Sequence, residues 1–316
     1  MKSKIKKTTS LVVTILALAV LILIAINTGS IKVTPAQLFS GLFIKYDPQV
    51  ATIYDLRLPR IFIAITAGAA TAVSGVLLQA VMKNPLADPG IIGVSSGASL
   101  VAVIVTAYLP SLYMTIPFLA MLGGLISFFI VYTLSWDKGL SPLRIMLVGV
   151  AVNSCLTGIM SAFSTIGGST YSGAASIVNG NITLKTWSDF KMLIVYVLIG
   201  LVAAIFMARS CNLMGLEDKT ARSVGVNVTR NRIIISVIAV LLASVSTAVI
   251  GPISFLGLIV PHIARLLVGS DHKILIPYSI VLGAFVLLLA DIIGRTIASP
   301  YEISASTKCT NFIIKP

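Results

Sequence analysis

Ile61-Phe62-Ile63-Ala64-Ile65-Thr66-Ala67-Gly68-Ala69-Ala70-Thr71-Ala72-Val73-Ser74-Gly75-Val76-Leu77-Leu78-Gln79-Ala80-Val81-Met82 contains no Asp, Glu, Lys or Arg. A helix needs about 20 apolar residues to cross the hydrocarbon core of a bilayer. This run meets that length, and its Ala, Gly, Ser and Thr suit a helix packed closely on other helices, because small side chains let backbones approach. The rest of the chain has the same character. Of 316 residues, 57% are hydrophobic and 10% charged, against about 25% charged in a soluble domain. Mean hydropathy is +1.03. Too few charged residues are present to clothe a soluble core, so the fold class is all-α, a polytopic integral membrane protein.

Other uncharged windows extend the pattern. Dividing the long ones at Tyr108-Leu109-Pro110-Ser111 and at Gly251-Pro252, where proline interrupts a helix, predicts nine spans. They cover about 8–31, 61–82, 90–108, 116–135, 145–166, 192–208, 233–250, 253–268 and 274–290. The Gly- and Ser-rich stretch from Gly167 to Gly180 reads as a re-entrant or interfacial segment. The first span, behind the basic Met1–Lys7, reads as a retained anchor: its apolar run is longer than a signal-peptide core and no small-x-small site follows.

The net charge is +13. On a soluble protein that would suggest nucleic acid, but basic residues also set topology in a membrane, where they gather on the cytoplasmic side. With the N-terminus inside, the inner segments hold Lys2, Lys4, Lys6, Lys7, Lys83, Lys138, Arg144, Arg209, Lys219, Arg222, Arg230, Arg232, Arg265 and Lys273. The outer ones hold Lys32, Lys45, Arg57, Arg60, Lys185 and Lys191, fewer than half as many. The expected location is a bacterial cytoplasmic membrane, multi-pass, with a cytoplasmic N-terminus and no nucleic-acid partner.

Catalytic chemistry finds little support. There is no G-x-x-x-x-G-K-[ST] phosphate loop, no Ser-His-Asp set and no paired-carboxylate site. Two histidines and three widely spaced cysteines give no metal site or disulfide framework. Carboxylates within spans are nearly absent, which disfavours an ion-coupled carrier. If ATP drives transport, another polypeptide hydrolyses it. The chain itself is expected to bind no cofactor, ATP and Mg belonging to that partner.

Three segments stand out. Arg57-Leu58-Pro59-Arg60 opens the second span at the outer interface, and Arg makes directional pairs with carboxylates. Lys83-Asn84-Pro85-Leu86-Ala87-Asp88-Pro89-Gly90 is a compact inner turn leading into Gly93, Ser95, Ser96 and Gly97. The longest inner segment, about 209–232, contains Leu216-Glu217-Asp218-Lys219-Thr220-Ala221-Arg222-Ser223-Val224-Gly225. There acidic residues precede basic ones and Gly225 is a plausible helix stop, as in a short partner-docking helix. Thr71-Ala72-Val73-Ser74-Gly75 is echoed by Thr247-Ala248-Val249-Ile250-Gly251, at the separation expected of duplicated transporter halves.

Taken in order, these segments resemble the FecCD-type permease family of ABC importers for iron-siderophores, haem and vitamin B12. The carriers are Arg57–Arg60, Ser74–Gln79, Asn84–Ala87, Gly90–Ala98, Ala221–Gly225, Gly257–Arg265 with Pro261, His262 and Arg265, and Ala290-Asp291 to Arg295. The resemblance implies ten helices per subunit and a second permease subunit, identical or not. It also implies two cytoplasmic ATPases and an external substrate-binding (lipo)protein. It implies binding-protein docking at Arg57, Arg60 and Arg295, ATPase coupling through Leu216, Glu217, Ala221, Arg222, Val224 and Gly225, and packing or pathway roles for Gly68, Gly75, Gly93, Ser95, Ser96 and Gly97. Asn84 and Pro85 belong to its motif. The implied cargo is ferric siderophore, with haem or cobalamin as alternatives; a secondary transporter or a non-transporting scaffold is a different class. Residues 1–303 are expected to form the permease domain. Residues 304–316 are a polar stretch where the family has its last helix, an expectation of frameshift or truncation.

Overall fold

The computed structural model describes residues 2–28, 33–44, 46–136, 142–166, 182–183 and 185–297. The expected re-entrant stretch after Gly167 falls almost wholly outside these residues, and the expected polar tail wholly so. The chain opens with α1 (Lys2–Asn27). Two short helices then precede the second span: α2 (Pro35–Phe43), begun by a Thr34–Gln37 capping box, and α3 (Pro48–Leu56), capped by Asp47. After α4 (Leu58–Met82) come α5 (Val94–Tyr108), a 3-10 turn (Pro110–Thr115), α6 (Ile116–Leu134) and α7 (Pro142–Ile166). The second half holds α8 (Trp187–Phe206), α9 (Ala208–Met214), α10 (Asp218–Ser223), α11 (Val228–Ile250), α12 (Leu256–Val268) and α13 (His272–Ile297).

Among the described residues, seven helices are long and apolar enough to span, and α5 and α12 are shorter. The expected spans 90–108 and 253–268 are thus half-helices entered through non-helical chain. The local sequence explains both. Pro89 and Gly90 stand before α5, whose N-cap Gly93 is left-handed at φ +84; Gly251-Pro252 stands before α12, whose N-cap Phe255 is left-handed at φ +66. Irregular backbone at membrane depth is tolerated when it is surrounded by protein, and Ala87, Asp88, Gly93, Gly251 and Ile253 are buried.

The core is organised on α4, which packs against α8, α11, α12 and α13. Three small residues make this possible. A Cβ added at Gly68 would overlap the Gly283 carbonyl of α13, one at Gly75 would overlap the Gly257 carbonyl of α12, and Ser74 Oγ donates to Ala239 O of α11 at 2.6 Å. Gly97 and Gly123 join α5 to α6 in the same way, each carbonyl lying 2.6 Å from the other's would-be Cβ. At the rim, Tyr278 Oη meets Ser10 Oγ and Thr14 Oγ1, both at 3.0 Å, and so ties α1 to α13.

Substituting Gly75 by Leu is expected to cost about 1–3 kcal/mol, or more where backbone must move. Thermal melting in detergent measures it. The control is Gly158→Ala, where a Cβ meets nothing within 4 Å and the melting temperature should hold.

Candidate functional site: two charged clusters and a buried amide

At the N-terminal end of α4, which the topology reading places outside, Arg60 lies against Asp291 of α13. Nε reaches Oδ1 and Oδ2 at 3.1 and 3.2 Å, and Nη2 reaches Oδ1 at 2.9 Å. Arg295, one turn beyond Asp291 on α13, brings Nη2 to Oδ2 at 3.2 Å. The side chains of Arg60 and Arg295 are 12% and 10% exposed, that of Asp291 1%. Two guanidiniums thus share the Asp291 carboxylate. Arg57 is placed differently: its Nη1 donates to Ile26 O at the end of α1, at 2.7 Å. Of the three sequence-predicted docking residues, the fold brings Arg60 and Arg295 together and gives Arg57 a backbone partner. The counter-ion lies 231 positions along the chain from Arg60.

The inner cluster gathers on the 209–232 segment. Asp218, the first residue of α10, takes Lys83 Nζ at 2.8 Å and Arg232 Nη2 at 3.3 Å. Lys83 Nζ also donates to Leu216 O at 2.5 Å. Lys83 is the C-cap of α4 and adopts φ +50, so its side chain leaves the helix toward α10. The stop at Gly225 has the form the sequence suggested. Gly225, at φ +83, donates N–H to Arg222 O at 3.0 Å, and Val226 donates to Ala221 O at 3.0 Å. These are the paired bonds of a Schellman stop. Ala221 is buried, while Leu216 and Val224 are exposed, and Glu217 and Arg222 are exposed beside them. Lys83 and Arg232 hold the Asp218 carboxyl below its ordinary value, the Lys83 hydrogen bond being the largest cause. A depressed carboxylate stabilises the fold above its ordinary pKa, and that contribution is lost as pH falls through the lowered value. The tether is therefore intact at neutral pH.

Between the clusters lies Gln79, buried on α4. Its Nε2 donates to Ala87 O at 3.3 Å and to Gly257 O at 3.4 Å, and its Oε1 accepts from Arg265 Nη2 at 2.5 Å. One amide thus links α4, the 83–93 turn and α12. Among the motif residues, Asn84 Oδ1 accepts from Leu86 N at 3.0 Å and shapes the turn with Pro85. Pro261 is buried within α12, and His262 is exposed. Gly93 O accepts from Ser96 Oγ at 2.9 Å and Ser127 Oγ at 2.7 Å. Gly68, Gly75, Gly93, Ser95, Ser96 and Gly97 are all buried within this chain. Sequence reasoning had Gln79, Asp218 and Asp291 inside quoted motifs but assigned them no partner. Lys83 was read as the start of the inner turn and Arg232 as the end of the 209–232 segment, both as topology charges and neither with a partner.

The fold is a bundle of membrane-spanning helices with a cationic cluster at one end of α4 and the short α10 at the other, the build of a multi-pass transport permease. The chain belongs to the FecCD transport family, whose model matches residues 17–316. It is 42% identical over 283 residues to a Staphylococcus aureus protein named as a heme-iron transport system permease, IsdF, in strains RF122 and Newman. Each match covers 90% of this chain and 86% of the relative. In three dimensions it resembles a metal-chelate type ABC transporter in an inward-facing conformation, with TM-score 0.81 and 26% identity over 97% of this chain and 96% of that one. A second likeness, to PsaBC from Streptococcus pneumoniae in complex with Fab, has TM-score 0.55 at 17% identity over 90% and 97% of the two chains, and is one of fold alone.

Replacing Asp291 by Ala removes the carboxylate that these two nearly buried guanidiniums share. Breaking a buried pair in this way costs about 3–5 kcal/mol, so the expected outcome is a sharp fall in melting temperature, measured on the detergent-solubilised protein.

Proposed function

We propose that this permease imports an iron chelate, haem in preference to ferric siderophore, across a bacterial cytoplasmic membrane. The observation that carries the cargo is the 42% identity to a protein named as a heme-iron permease, over nine-tenths of this chain. Ferric siderophore is the second reading, favoured by the likeness to a metal-chelate type transporter. The subunit pairs with a second permease subunit. It takes cargo from an external binding protein and draws its energy from two cytoplasmic ATPases, which hold the ATP and Mg. The N-terminus lies in the cytoplasm.

The chemistry supports each joint. Outside, the Arg60–Asp291–Arg295 cluster gathers two arginines at the end of α4, with Arg57 nearby in sequence; acidic residues on a binding protein would dock there. Charge complementarity of this kind speeds and orients encounter. Inside, the exposed Leu216 and Val224, which flank α10, would enter an ATPase groove, in the manner of a helix docked through a few apolar anchors. The load path starts at Asp218 and passes through Lys83 to the C-terminal end of α4. Since α4 is the helix on which the core is built, a displacement of α10 reaches the centre of the subunit. Gln79 joins that end of α4 to α12 and the 83–93 turn.

Radiolabelled iron uptake in cells lacking other iron importers tests the cargo. Expression with the cognate binding protein and ATPase should restore uptake from haem; restoration from ferric siderophore alone would replace the first reading by the second. For the coupling joint, a cysteine placed at Val224 should crosslink to a cysteine-bearing ATPase. Adding Asp218→Asn should lower ATP-driven uptake several-fold while the crosslink persists, because the helix still docks but its tether to α4 is weakened.

A further inference from the structure

The two half-helices are entered in similar ways. Pro85-Leu86 is followed at Gly90 by Gly-Ile91-Ile92, and Pro252-Ile253 is followed at Gly257 by Gly-Leu258-Ile259, with the same Pro-to-Gly spacing. Both helices start from a left-handed N-cap residue, Gly93 and Phe255, and neither N-cap supplies a side-chain hydrogen bond. The first amides of a helix have no carbonyl behind them and carry partial positive charge. In α12 the amides of Leu258 and Ile259 turn back to Phe255 O at 3.1 and 2.9 Å. Those of Leu256 and Gly257 precede them.

Asp88 stands between these entrances and is completely buried. Its Oδ1 accepts from Gly90 N at 2.8 Å and Ile91 N at 3.4 Å, which closes the turn into α5. Its main-chain oxygen accepts from Ile92 N at 3.0 Å. Its Oδ2 is buried without a hydrogen-bond partner. That oxygen lies against the first turn of α12, 2.9 Å from where a Cβ on Gly257 would be. A buried carboxylate oxygen without a donor is costly. The cation of this region, Arg265, is engaged with Gln79 Oε1.

We propose that Asp88 is a shared cap: one carboxylate oxygen closes the turn into α5, and the other, without a hydrogen bond of its own, lies against the first turn of α12 and holds its positive end by charge. The two half-helices are thereby locked together at their entrances, and Asp88 is a positioning residue for the inner half of the subunit. A half-helix N-terminus inside a transporter is a usual place for negative charge. Here the charge comes from the chain itself.

The discriminating substitution is Asp88→Asn. Asparagine is as good a cap as aspartate and keeps an oxygen for Gly90 and Ile91. It replaces Oδ2 by an N–H donor facing a helix end that is itself rich in donors. Hydrogen exchange read by mass spectrometry on the detergent-solubilised full chain should show amides of 256–260 exchanging about fivefold faster in Asp88→Asn, the size of a lost cap. Those of 90–92 should keep their protection, whereas Asp88→Ala should speed both. Wild-type exchange at 256–260 in Asp88→Asn overturns the proposal. If Asp88→Asn does not fold, adding Phe255→Asp supplies an acid at the N-cap of α12 itself, where Asp is favoured and tolerates the left-handed backbone. The double variant should regain its melting transition, and failure to do so overturns the shared cap. The transport half of the proposal rests on the importer reading above: cargo uptake at unchanged subunit abundance should fall several-fold in Asp88→Asn. Unchanged uptake beside faster exchange overturns that half alone, because exchange needs neither cargo nor ATPase.

Discussion

The structure depends on the close approach of α4 to its neighbours. In a bilayer, helices gain little by hiding apolar surface from one another, since lipid is as apolar as leucine. Association must come from dense packing and from hydrogen bonds between helices. The α4 helix meets that demand with Gly68 on α13, Gly75 on α12 and Ser74 on a carbonyl of α11. Gly68 lies about two turns from Gly75, and Ser74 beside Gly75 turns to another neighbour, so α4 meets three helices through small residues.

That centrality gives the polar groups their meaning. Charges are few, and those at the ends of α4 are tied to other helices: Arg60 to Asp291 outside, Lys83 to Asp218 inside. Gln79 sits near the inner end and bridges to the 83–93 turn and α12. A polar group in such a setting must find partners within the protein, because water is scarce and lipid offers none. A helix whose ends and middle are all tied in this way transmits displacement rather than absorbing it.

Much of the architecture was legible in the chain. The uncharged runs located the helices, and the prolines at Pro110 and Pro252 marked true interruptions. The small residues near Gly68, Gly75 and Gly97 announced tight packing, because no other composition allows it. Gly225 announced the stop of the inner helix, because glycine accepts the left-handed backbone there at no steric cost. The half-length of α5 and α12 was less legible. Hydropathy does not distinguish a helix from an extended apolar segment buried beside one, so 90–93 and 253–255 looked like parts of spans. The partnership of Arg60 with Asp291 was invisible for a different reason: it spans nearly the whole chain, and nothing local to either residue names the other.

The sequence by itself determined that this chain lives in a bilayer, which segments are helical and which motifs place it among the FecCD permeases. Hydropathy, proline and glycine act locally, and local physics can be read along a line. Tertiary structure alone decided which charges neutralise one another, which glycine faces which carbonyl, and that Asp88 stands at the entrance of a helix far from it in sequence. Those are properties of distance in space. They arise only when helices far apart in the chain are brought within a few ångströms, where a single oxygen or a missing Cβ determines the fit.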